Sequence, residues 1–157
     1  MGQTEDALNS YRVAIQVDPE DAWSMNNLAF ILIEEGRYDE ALPALARATE
    51  LRKDVPVFFN NLGMALERTG HYRAAEDAYT FAGSLEGVSD RAVANRERVR
   101  SVREQPGLEP VDLAALARVF EADLQGKSSV ATDALTAEEQ DVSVTPADTT
   151  SSAQQPR

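Results

Sequence analysis

Three asparagines, Asn27, Asn61 and Asn95, recur at steps of 34 residues. An amide side chain carries both a donor and an acceptor, so such a row can pair with a peptide backbone whatever that peptide's sequence. Other chemistry is poorly supplied. His71 is the only histidine, and it falls at a turn position. With no cysteine in the chain, thiolate metal sites and a disulfide framework are excluded. No paired-histidine spacing, phosphate-binding glycine loop or nucleophile motif is found. The carboxylate pairs Glu34-Glu35 and Glu138-Glu139 read as solvated charge rather than as an acid–base dyad. The chain is therefore read as a non-enzyme, with no catalytic, metal or cofactor-binding residues.

The elements that must position these asparagines repeat with them. Shifted by 34, Asn26-Asn27-Leu28-Ala29 falls on Asn60-Asn61-Leu62-Gly63. Gly36 falls on Gly70, Tyr38 on Tyr72, Ala41 on Ala75, Ala48 on Ala82 and Leu51 on Leu85. A fixed period of this size marks a stacked helical array. Leu28, Ala29, Gly36, Tyr38, Ala41, Leu45 and Ala48 form one copy of the pattern. Leu62, Gly63, Gly70, Tyr72, Ala75, Tyr79 and Ala82 form the next. Together they resemble the tetratricopeptide repeat family. The resemblance implies an all-α fold: a right-handed superhelical solenoid of helix hairpins, closed by a C-terminal capping helix.

Read in order, residues 1–21 give the second helix of an incomplete repeat, since Ala7, Tyr11 and Ala14 match Ala41, Leu45 and Ala48. Met1 is accordingly expected to be a late start. Residues 22–55 and 56–88 are two full repeats, each turning at a glycine that accepts a left-handed backbone. The small Ala29 and Ala41 are expected to let their helices approach closely. Phe59, Leu62, Gly63, Ala65 and Leu66 are expected to face inward. Pro43 is placed near a helix start, where its missing N–H costs less. Residues 89–105 keep the register but carry Arg96 and Glu97 where the repeat wants Leu and a small residue, so they read as a capping helix with a solvated arginine face. Residues 111–125 form an amphipathic helix, with Leu113, Leu116, Ala117, Phe120 and Leu124 on one side. Such a helix needs a partner surface; docking on this chain or on a second copy is expected, the alternative being a groove on another protein. Residues 126–157 hold almost no bulky apolar side chains and are expected to be a disordered acidic tail.

Net charge is −12, which argues against nucleic-acid binding. The acid sits at the ends: residues 1–55 and 108–157 each carry −6, around a neutral middle. No apolar run approaches the roughly 20 residues that span a bilayer, and a secretory signal is not seen at Met1. A cytoplasmic location is expected.

The resemblance implies that the first helix of each hairpin lines the inner surface. The candidate peptide-binding groove is then Trp23, Asn26, Asn27, Phe30 and Glu34 in one repeat, and Asn60, Asn61, Met64 and Arg68 in the next. Ile33, Val57 and Glu67 are expected beside them. Asn27 and Asn61 either hold a bound backbone, in which case replacing both with Ala leaves melting nearly unchanged, or serve packing between helices, in which case stability falls equally. Glu34 and Glu67 favour a neutral or basic partner segment. The expected function is a non-catalytic protein–protein interaction scaffold binding a peptide or helical segment. The alternatives are a positioning segment of a larger enzyme or secretion complex, or self-association through the open N-terminal repeat or helix 111–125.

Overall fold

The computed structural model describes residues 2–85, 90–104 and 108–125. The expected tail, 126–157, lies outside the described residues, as do 86–89 and 105–107 at the ends of two expected segments. Among the described residues the chain is helical throughout, with no strand. The helices are α1 (Gly2–Val17), α2 (Ala22–Glu34), α3 (Tyr38–Leu51), α4 (Pro56–Arg68), α5 (Tyr72–Ser84) and α6 (Asp90–Val99), followed by α7 at 113–125. From α1 to α6 each helix packs on the next, and α2 also meets α4. The result is an α-helical repeat solenoid. Its inner layer is α2, α4 and α6, and its outer layer is α1, α3 and α5.

Two corners of identical chemistry make the hairpins. Gly36 and Gly70 stand at φ of 75° and 87°, a backbone that costs an ordinary L-residue about 1–2 kcal/mol. At the first corner, Gly36 N–H donates to Ile33 C=O at 3.0 Å and Arg37 N–H to Leu32 C=O at 2.8 Å. At the second, Gly70 N–H donates to Glu67 C=O at 3.1 Å and His71 N–H to Leu66 C=O at 2.9 Å. These paired bonds satisfy carbonyls that a helix end leaves open. Helix starts differ more. Asp21 caps α2, accepting from Ser24 N–H at 3.0 Å and from the Ser24 hydroxyl at 2.5 Å. That hydroxyl is the first reason the Asp21 carboxyl is held below its usual value. Pro56 opens α4 at a position where no N–H is needed.

The core is a stripe of small and bulky side chains traded across each hairpin. Ala29, Ala41, Leu45 and Ala48 are fully buried in the first, and Ala65, Ala75, Tyr79 and Ala82 in the second. Gly63 stands where Ala29 stands, and Tyr79 where Leu45 stands, one shrinking as the other grows. A methyl placed on Gly63 would lie 2.5 Å from the Tyr79 ring. Burial pushes the Tyr79 phenol well above its usual range, and its hydroxyl donates to Glu67 Oε2 at 3.0 Å.

Several expectations need correcting. Ile33 is buried in the core rather than in the groove. In α4 the fully buried ring is Phe58, covered edge-on by Trp23 at 4.9 Å between ring centres. Phe59 is only half-buried and stacks on Phe81 at 4.4 Å. Pro43 lies five residues inside α3, past the first turn, so it removes a bond that an ordinary residue would donate to Asp39 C=O. Helix 111–125 starts at 113, because Asp112 is its cap: Ala115 N–H donates to Asp112 Oδ1 at 2.9 Å. It docks on this chain. Ala117 is 2% exposed, Leu113, Leu116, Phe120 and Leu124 pack on the core, and Glu121 meets Arg47 at 2.6 Å. Among the described residues, no helix is long and apolar enough to cross a membrane.

Candidate functional site: a groove along the inner layer

The inner helices enclose a groove of about 650 Å³, lined by Trp23, Asn26, Asn27 and Phe30 of α2, by Val55 to Val57, Asn60 and Asn61 at α4, and by Arg91 and Ala92 of α6. Its apolar wall is unusually open. Trp23 is 51% exposed, Phe30 43% and Val57 42%. Exposed apolar side chains gathered in one concavity mark binding surfaces.

Its polar wall is a chain of amides. Asn61 Nδ2 donates to Asn26 Oδ1 at 2.9 Å, and Asn26 Nδ2 to Asn27 Oδ1 at 3.4 Å. Asn95 Nδ2 donates to Asn60 Oδ1 at 3.2 Å. The asparagines align at 34 residues, but they bond at 35, each reaching the residue before its counterpart. Asn26, Asn60 and Asn61 are buried by this stitching. Asn27 remains half-exposed and keeps its own amide nitrogen without a hydrogen bond among the described residues. The asparagines therefore join repeat to repeat, the packing role weighed against peptide contact.

Of the nine expected groove residues, the structure brings Trp23, Asn26, Asn27, Phe30, Asn60 and Asn61 together. It places the other three elsewhere. Glu34 and Arg68 are exposed at the far helix ends, and Met64 is half-buried, its sulfur 3.7 Å from Asn60 Nδ2. Glu67 turns away from the groove: its side chain is 12% exposed, bonded to Tyr79 and ion-paired with Arg98. Arg98 also donates to Asn95 Oδ1 at 3.1 Å within α6; it links α6 to α4 while remaining on the exposed arginine face. Glu34 and Glu67 lie outside the lining, and Arg91 is the charged side chain among the lining residues. Sequence reasoning missed Val55, Pro56, Arg91 and Ala92, which reach the groove from helix starts. Among the described residues, no group of His, Cys, Asp and Glu is arranged to hold a metal ion.

A family model described as Tetratricopeptide repeat matches residues 1–59, the stretch containing α1, the first hairpin and the start of α4. Over that stretch the chain is similar to the tetratricopeptide repeat family. Protein STIP1 homolog of Dictyostelium discoideum is 32% identical over 108 residues, covering 64% of this chain and 19% of that protein. Tetratricopeptide repeat protein 7B of Homo sapiens is 32% identical over 88 residues, covering 56% of this chain and 10% of its own length. Hsp70-Hsp90 organizing protein of Triticum aestivum is 33% identical over 66 residues, covering 42% and 11%. The chain thus spans between a tenth and a fifth of the length of these curated relatives.

Proposed function

We propose that this tetratricopeptide array is a non-catalytic protein–protein interaction scaffold that holds a weakly charged polypeptide segment in the groove. The observation that carries the reading is the exposed Trp23, Phe30 and Val57 beside the open amide of Asn27. Apolar contact supplies affinity there, and the amide supplies a sequence-tolerant hydrogen bond to a peptide backbone. The names of the relatives agree with an adaptor role, one of them being an organizing protein for two others.

The chain carries its own reporter, because Trp23 is its single tryptophan. Peptides selected from a random library against the full chain should shift Trp23 emission to the blue as they cover the ring. Val57→Asp should weaken those peptides at least about tenfold, or about 1.4 kcal/mol. Val57 is the second residue of α4, where a carboxylate suits the helix dipole, so the variant keeps its fold. Selected peptides that bind Val57→Asp and Phe30→Asp as tightly as the native chain would place binding outside the groove and end the reading.

A further inference from the structure

The described residues after α6 lie along the outer layer at three places. At the α4–α5 corner, Glu104 accepts from the Arg73 N–H at 3.1 Å, and Leu108 lies against Gly70. On the back of α3, Leu113, Ala114 and Ala117 line a shallow cleft with Ala46, Thr49 and Lys53, Leu113 packs on the core, and Glu121 pairs with Arg47. At the α1–α2 corner, Leu124 and Gln125 face Gln16, Pro19 and Glu20 across a cavity of about 250 Å³, and Leu124 packs on the core. None of these residues lines the groove. One segment thus links the second hairpin, the first hairpin and α1, all on the side opposite the groove.

We propose that α7 is an outer tether that limits how far the groove can close. Stacked hairpins change curvature by small rotations between neighbours. The exposed Trp23, Phe30 and Val57 face a shared concavity, so tightening the curve would bury them and release water. Tightening lengthens the outer side. A helix packed on α3 and anchored at a corner on either side resists that lengthening. The lining stays open because its opposite face is tied.

The test uses the full chain and needs no ligand. Ala117→Asp puts a charge into the most buried contact of α7 and should release it. Hydrogen exchange over 113–125 reports the release, and far-UV circular dichroism reports that α1–α6 remain folded. The expected result is lower acrylamide quenching of Trp23 and a blue shift of its emission, although α7 never touches that ring. Should Ala117→Asp unfold the array, Glu121→Lys gives a graded version by removing a single ion pair at the helix edge. Released α7 with unchanged or greater Trp23 quenching would overturn the proposal and leave α7 as a mere cover for α3.

Discussion

Exchanging the Gly63–Tyr79 pair for the Ala–Leu pair of the preceding hairpin tests the packing account directly. On its own, Gly63→Ala sets a methyl 2.5, 2.7 and 2.9 Å from three carbons of the Tyr79 ring. Ordinary carbon contacts are about 3.5–4.0 Å, so the overlap is on the order of 1 Å. The ring has no free space to retreat into, being fully buried with its hydroxyl bonded to Glu67. Overpacking of this kind costs roughly 1–3 kcal/mol, while replacing a mid-helix glycine by alanine returns about 1 kcal/mol. The net expectation is a loss of about 1 kcal/mol. Tyr79→Leu alone should cost about 2–4 kcal/mol, through the cavity beside Gly63 and the Glu67 carboxylate left without its hydroxyl donor. In the double variant the new methyl enters space the ring has vacated. The two losses should then fall short of their sum by about 1–2 kcal/mol. Urea unfolding followed by circular dichroism and by Trp23 emission measures all four corners of the cycle. Additive losses, or a Gly63→Ala chain stabilised by the full propensity gain, would refute the idea that bulk is traded between α4 and α5.

Other predictions follow from single contacts. Asn61→Ala removes the donor that joins α4 to α2 and should cost about 1–2 kcal/mol, whereas Asn27→Ala should leave melting nearly unchanged; equal melting of the two would remove the inter-repeat role. Asp21→Ala should cost about 1 kcal/mol by uncapping α2, measured by denaturant titration. Because the folded Asp21 carboxyl is held below its ordinary value of 3.8, its contribution is complete well above that pH and is lost as the pH falls through the lower folded value. Acid unfolding of Asp21→Asn should lack that component. Gly36→Ala should cost about 1 kcal/mol or more from its positive φ, read as a lowered melting temperature.

The architecture was legible because it rests on features that repeat. Gly36 and Gly70 mark corners whatever surrounds them, and the alternation of Ala with Leu or Tyr at fixed steps specifies which faces meet. The site was only partly legible. Helical phase separates an inner face from an outer one, but it does not say which polar residues on that face bond to each other. Asn61 could be placed on the inner face from its spacing; that its donor is already given to Asn26 depends on the approach of two helices. Phe58 escaped notice for the same reason. Its burial comes from the Trp23 ring of the preceding hairpin, a contact outside its own repeat. Ala46 and Thr49, outside the repeat pattern, are buried on the side of α3 that faces a helix some 65 residues later in the chain.

The amide stitching along the inner layer has a sense of direction. Asn61 donates backward to Asn26, and Asn95 donates backward to Asn60, so α4 offers an acceptor forward and a donor behind, α2 supplies an acceptor forward and α6 a donor behind. Such a joint can be duplicated head to tail but never reversed. A tandem copy of residues 22–55 inserted after Val55 would carry both halves of the joint and extend the row, while a hairpin inserted in the opposite orientation would set donor against donor.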